Sequence, residues 1–263
     1  MNKKRTALIT GATSGIGFEL VKLFAADSID LLLVSRNKKK LLEIKKLTIQ
    51  EYQINVDVIT CDLAVPNSVS KVLDFCLLNK ISIDYLVNNA GFGIYGNFIE
   101  NNLDDIQDMI NLNILSLTEM TKYFLVNMKK NNYGKVLNVA SVAAFQAGPM
   151  MSVYSATKHF VLAFSEALSE ELTDSNVSIT VLCPGPTISG FQKRAGFPPT
   201  ARLFTSPFTA SSKQVAIFGY KKLMNKKRIA IPGIANNVSY FLVKFIPKSI
   251  LTRITKRIFE YMH

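Results

Sequence analysis

Short apolar runs alternate with longer amphipathic stretches along most of this chain. The runs lie at residues 6–10, 30–35, 56–61, 85–88, 135–140 and 177–183 and are dominated by Val, Ile and Leu. Near-continuous apolar runs of this length are the pattern of parallel strands buried on both faces. Between them, residues 18–26, the stretch ending at Tyr52, 67–79, 102–128 and the stretch opening at Val153 repeat their apolar positions at helical spacing. Asn102, followed by Asp104 and Asp105, predicts a helix N-terminus, and Ser211 with Gln214 has capping-box spacing. A last short run at 228–231 adds a seventh strand. Strand–helix alternation of this kind predicts an α/β fold: a single doubly wound domain over residues 1–263, with a parallel sheet of about seven strands flanked by helices. Residues 191–210, rich in Pro, Phe, Arg and Thr without periodicity, read as a substrate lid.

Composition agrees with one large domain: 263 residues, 48% hydrophobic and 19% charged. Cys61, Cys76 and Cys183 are scattered and only two histidines are present, so the chain is expected to hold buried thiols, no disulfide framework and no metal. The basic start is followed by an apolar run at 7–9 that is too short for a signal-peptide core, and a cytoplasmic location is expected.

Charge changes the picture once it is located. Residues 1–190 carry 17 Lys and Arg against 18 Asp and Glu, whereas residues 191–263 carry 14 against one, Glu260. The whole net charge of +12 therefore belongs to the C-terminal part. Residues 236–263 read as a basic amphipathic extension, with Ile250, Leu251, Ile254, Ile258 and Met262 on one helical face and Pro247 dividing it from the apolar stretch 238–246. Neither piece reaches the roughly 20 residues that span a bilayer. Three readings stay open: helices folded back to wall a substrate site or a dimer interface, a peripheral anchor on anionic lipid, and a dock for an acidic acyl carrier protein. Nucleic acid is excluded as a partner, because no aromatic-studded basic groove accompanies the cations.

Candidate chemistry begins at Gly11-Ala12-Thr13-Ser14-Gly15-Ile16-Gly17, between the first strand and the first helix. Glycines let such a loop turn tightly and approach a pyrophosphate, which the free amides of the helix N-terminus then stabilise. About 20 residues on, where an acid would hold the ribose 2′-hydroxyl of NAD, stand Ser35 and Arg36. A cation there suits the 2′-phosphate of NADP; Lys39 and Lys40 read as the solvated first turn of the next helix. Farther along, Tyr154 and Lys158 lie four residues apart on one helical face, and Ser141 ends the strand 135–140. A phenol that ordinarily titrates near pH 10 needs a neighbouring cation to work as an acid and base at neutral pH.

The T-G-x-x-x-G-x-G spacing, Asn88-Asn89-Ala90-Gly91, Ser141, Tyr154-x-x-x-Lys158 and Pro184-Gly185 together resemble the short-chain dehydrogenase/reductase family over roughly residues 5–235. The resemblance implies a nicotinamide dinucleotide, with Gly11, Thr13, Ser14, Gly15, Ile16 and Gly17 around its diphosphate. It puts Asp62 and Leu63 beside the adenine, Asn89, Ala90 and Gly91 beside the ribose, and Pro184, Gly185 and Thr187 (or Ser189) beside the nicotinamide. It further implies a catalytic set of Asn113, Ser141, Tyr154 and Lys158. In this set Tyr154 protonates a carbonyl oxygen that Ser141 holds, Lys158 lowers the phenol pKa and binds the ribose, and the Asn113 carbonyl holds a water. Read from residues alone, Asn113 could be a tolerated surface position and Asn89 a tie between strands. The implied activity is reduction of a small apolar carbonyl substrate, such as a 3-oxoacyl thioester or lipid-like ketone, in a homo-oligomer. NADP(H) is favoured over NAD(H); the neutral Ser14, where some NADP-using relatives carry a cation, keeps NAD open. The alternative is a catalytically silent scaffold or membrane-surface module of the same fold, against which the retained Tyr154 and Lys158 argue.

Overall fold

The computed structural model describes residues 4–198, 200, 201, 204 and 209–260. In chain order it forms β1 (Thr6–Thr10), α1 (Gly15–Ala26), β2 (Asp30–Ser35), α2 (Lys38–Tyr52), β3 (Val56–Thr60), α3 (Ser68–Leu78), β4 (Tyr85–Asn88), α4 (Leu103–Ile110), α5 (Leu117–Lys130), β5 (Gly134–Val139), α6 (Ser152–Glu171) and β6 (Val177–Leu182). There follow β7 (Thr187–Ile188), α7 (Phe191–Ala195), β8 (Ala210–Ser211), α8 (Ser212–Met224), β9 (Ile229–Ala230), α9 (Ile234–Leu242) and α10 (Lys248–Glu260). Seven strands pair in parallel in the order β3-β2-β1-β4-β5-β6-β9, and β7 pairs with β8 apart from them. The order reverses between β1 and β4, which opens a crevice at their C-terminal ends, where an open parallel sheet places its ligands.

Alternate residues of each strand face opposite sides of the sheet. Ala7 and Ile9 enter one core with Phe24 of α1, Leu41 of α2 and Leu223 of α8, while Leu8 enters the other with Val72 of α3 and Phe124 of α5. A chain of buried amides links the layers: Asn88 Nδ2 donates to Thr121 Oγ1 and Asn138 Oδ1, both at 2.9 Å, and Asn138 Nδ2 donates to Ser165 Oγ at 2.9 Å. These bonds satisfy polar groups in the interior and fix β4 and β5 against α5 and α6.

Two expectations are refined by the structure. The helix expected over 102–128 is present and unbroken from Leu103 to Lys130, with a π-helical turn at Asn111–Ser116 between α4 and α5. A π turn admits an extra residue into the helical path, and here it accompanies the burial of Asn113, whose side chain is bonded to the Phe92 backbone. Asn102 caps α4 as expected, its Oδ1 accepting from Asp104 N at 2.7 Å. The lid region, read as irregular, opens with α7 and ends at Ala210 of β8, which pairs with β7 just before the region; Gln192 Nε2 of α7 donates to Thr187 O of β7 at 2.8 Å. Residues 199, 202–203 and 205–208 of that region, and Met262 of the tail, lie outside the described residues. Ser211 and Gln214 form the capping box that opens α8.

Both tail helices fold back over the crevice. Tyr240 of α9 packs on Phe145 with ring centres 4.7 Å apart, and Tyr95 Oη donates to the carbonyl of Phe259 in α10 at 3.0 Å. Among the described residues no helix is long and apolar enough to cross a membrane.

Candidate active site

Backbone proximity builds the crevice where β1 passes into α1. Gly11 has φ +64°, and a Cβ on it would stand 2.9 Å from Asn89 Nδ2. A Cβ on Gly17 would overlap the Gly11 carbonyl oxygen and meet Asn89 Nδ2 at 2.5 Å, so loop and helix lie closer than any side chain permits. Ser14 precedes α1 in an extended conformation and makes no side-chain cap, which leaves the first-turn amides open to the cleft. Asn89 is the tie between strands: its Nδ2 donates to Thr10 O at 2.9 Å and Gly11 O at 3.3 Å, while the amides of Asn89 and Ala90 donate to Thr10 Oγ1.

At the rim, Arg36 Nη1 lies 3.4 Å from Asp62 Oδ2, and both side chains are substantially exposed. Such a pair contributes little by itself and leaves the guanidinium free to take a phosphate. Thr13 and Ser35 share a hydroxyl hydrogen bond of 2.9 Å. Asp62 Oδ1 accepts from Ala64 N at 3.0 Å. A second cation was missed in the sequence: Arg194 of α7 has its guanidinium 4.1 Å over the Phe92 ring and lines the same cavity as Arg36. Burial lowers the pKa of Arg194 and Arg36 lowers it further, opposed by Asp62, Asp105 and Asp108. The loop after β6 closes another side of the crevice. Thr187 Oγ1 donates to Gly185 O at 2.9 Å, and a Cβ on Gly15 would stand 3.4 Å from Ser189 Cβ.

Ser141, Tyr154, Lys158 and Asn113 converge at the centre. Ser141 Oγ accepts from Ala143 N at 3.1 Å and reaches the Pro184 carbonyl at 3.5 Å. Burial pushes the Tyr154 phenol up to about 12, and the Ser141 hydroxyl opposes that rise. Lys158 Nζ donates to Val139 O at 2.9 Å and sits 5.8 Å from the centre of the Tyr154 ring. Burial brings the ammonium down to about 8, partly offset by Cys183. The expected depression of the phenol by Lys158 is therefore not a property of the chain by itself, because both groups are desolvated and the ammonium is bonded to main chain. Asn113 holds the frame: Nδ2 donates to Phe92 O at 2.9 Å and Thr157 Oγ1 at 3.1 Å, and Oδ1 accepts from Phe92 N at 3.2 Å. Gly91 lets this arrangement close, since a Cβ there would stand 2.9 Å from Asn113 Oδ1 and 3.4 Å from Lys158 Nζ.

All these parts open on one cavity of about 780 Å³. Of the residues singled out in the sequence, Gly17 and Asn113 stand behind its wall and the others line it, including Ile16, Leu63, Ala90, Pro184 and Gly185. Much of its lining is apolar, with Phe145 and Met151 from the segment between β5 and α6, Phe191 from α7, and Leu242, Leu251 and Ile258 from the tail helices. The tail thus walls the cavity, the first of the three arrangements open at the sequence level. A glycine cradle whose hydrogens are the only substituents that fit, helix amides left uncapped, and a cation at the rim together suit a dinucleotide.

Fold and site define a dinucleotide-binding α/β enzyme of the doubly wound class. The family model for short chain dehydrogenases matches residues 5–196, and the chain belongs to that family: an oxidoreductase that works between alcohol and carbonyl groups with a nicotinamide dinucleotide. It is 33% identical over 186 residues to an NADP-dependent 3-hydroxy acid dehydrogenase of Schizosaccharomyces pombe, covering 69% of this chain and 71% of that protein. It is 34% identical over 182 residues to very-long-chain 3-oxoacyl-CoA reductase-B of Danio rerio, covering 68% of this chain and 58% of that protein. A solved short-chain dehydrogenase from Sphingobium yanoikuyae in complex with NADPH superposes with a TM-score of 0.79 at 28% identity, over 93% of this chain and 97% of that one.

Proposed function

We propose that this enzyme reduces the carbonyl group of an apolar substrate, with NADP(H) preferred to NAD(H). The observation that carries the reading is the convergence of Ser141, Tyr154 and Lys158 on one cavity that the glycine cradle also lines. When bound, the reduced nicotinamide supplies hydride to the carbonyl carbon. Tyr154 Oη donates its proton to the carbonyl oxygen, and a phenol held near 12 is fully protonated for that task at neutral pH. Ser141 Oγ hydrogen-bonds the same oxygen as charge develops on it. The Lys158 ammonium, charged below about 8, stabilises the phenolate that remains.

Arg36 is assigned to the 2′-phosphate of the cofactor, a charge-assisted contact that a ribose hydroxyl does not supply. An NADP-dependent relative and a neighbour with NADPH bound support that preference. The apolar lining of the cavity favours a long-chain 3-oxoacyl thioester or lipid-like ketone, in keeping with the name of the Danio rerio relative. A panel of ketones and 3-oxoacyl thioesters, followed by NADPH oxidation with native enzyme and Tyr154→Phe, tests the reading. Turnover that depends on Tyr154 is expected; undiminished activity in Tyr154→Phe, or none across the panel, overturns it.

A further inference from the structure

Resting on the apolar substrate just assigned, we propose that α9, the turn after it and α10 dock on an anionic lipid surface. The cavity mouth then faces the bilayer, and the substrate enters from the lipid.

Three observations converge on this face. First, it leaves large apolar side chains in water: Ile234 is 86% and Phe245 83% exposed, with Phe241, Ile250, Ile254 and Ile258 about half exposed. Single exposed apolar residues are ordinary, but here they crowd two adjoining short helices. Second, the patch is continuous with the interior. Leu242, Ile254 and Ile258 are half exposed and also line the cavity, so apolar surface runs unbroken from solvent to the site. Third, cations border it. Arg253 and Arg257 each stand three residues beyond Ile250 and Ile254, neighbours on the helix surface, and Lys244 lies 4.2 Å over the Tyr240 ring. Glu260, the one acidic residue of 191–263, is paired with Lys256 at 3.4 Å.

The occupant follows from charge and shape. A second copy of this chain would bring an equally cationic face against this one. An acidic carrier protein would satisfy the cations and leave Ile234 and Phe245 without an apolar partner. An anionic bilayer supplies both headgroup charge and hydrocarbon, and helices of 9 and 13 residues are suited to lying flat in its interface. Lys and Arg stems can extend along the apolar surface while their charges reach the headgroups.

Co-sedimentation of the full chain with phosphatidylcholine vesicles, with and without phosphatidylglycerol, reads this out. Binding is expected only with phosphatidylglycerol and weakens as salt rises. Each cation is worth about fivefold in partition, so R253Q/R257Q should lose about 25-fold. F241E/F245E should lose at least about tenfold, because charge replaces the inserted rings. Neither phenylalanine lines the cavity, so this variant should keep the native melting temperature and native turnover of a water-soluble ketone, while losing turnover of a vesicle-borne one. Absence of binding at low salt, or equal binding by native chain and F241E/F245E, overturns the lipid assignment. So does a change from dimer to monomer caused by Phe245→Glu, or saturable binding of an acidic carrier protein that F241E/F245E leaves intact. Failure of the native enzyme to turn over any soluble ketone would instead sink the reductase reading, whatever the vesicles show.

Discussion

Residues 1–190 and 191–263 contribute to the same cavity by different means. The first stretch is nearly charge-balanced and sets Ser141, Tyr154 and Lys158 beside a cradle made by close backbone approach, Gly11 against Ala90 and Gly17 against the Gly11 carbonyl. The second carries the entire surplus of cations and makes its contribution from side chains, with Arg194 and the apolar faces of α7, α9 and α10. Backbone geometry suits a dinucleotide diphosphate, whose shape is constant. Side-chain surfaces suit whatever substrate and surroundings one enzyme must meet.

The largest effect expected of any substitution falls in the first stretch. Tyr154→Phe should reduce turnover about 10²- to 10⁴-fold while leaving the NADPH dissociation constant near native, as measured by fluorescence titration. Arg36→Asp should weaken NADPH binding about 10- to 100-fold, the worth of a charged hydrogen bond, and narrow the gap from NADH. Equal affinity of the native enzyme for both cofactors would break the assignment.

Lys158 predicts a pH dependence of defined sign. Because its ammonium titrates at about 8, carbonyl reduction at saturating NADPH should be level below that pH. Above it, turnover should fall about tenfold per unit as the cation that stabilises the phenolate is lost. A profile that rises with pH would reverse the proton-donor role of Tyr154. The smallest effect tests the boundary between the two stretches. Arg194→Gln should weaken NADPH about two- to fivefold with little change for NADH, as expected for a partly exposed cation beside Arg36. No change at all would confine the cofactor to the first stretch.

Legibility in the sequence divides along a similar line. The sheet was readable because its strands are buried on both faces, and their periodicity reports that directly. Its ends shifted by a residue, as at β3 and β6, because strand termini depend on partners. Gly11, Ser141, Tyr154 and Lys158 were readable because local backbone position and helical spacing carry their meaning. The π turn was not, since one extra residue barely disturbs the apolar repeat around Asn113. Arg194 was hidden in a run without periodicity, and its importance comes from Phe92 and Arg36, distant in sequence. The tail helices showed their apolar face plainly, but a pattern states that a face is apolar and leaves its partner open.

The buried Lys158 also bears on how such a chain could change over generations. Bringing its ammonium from 10.5 down to about 8 costs the fold roughly 3 kcal/mol at neutral pH. The sign follows from linkage: the unfolded chain binds this proton more tightly, so stability recovers only as pH rises from about 8 toward 10.5. Replacement by an uncharged side chain of similar size would relieve that cost at once. A lineage released from the need to move a proton would therefore drift toward losing Lys158, with greater stability as the immediate reward. If Lys158 serves Tyr154 as proposed, its retention in so dry a place sets function against stability.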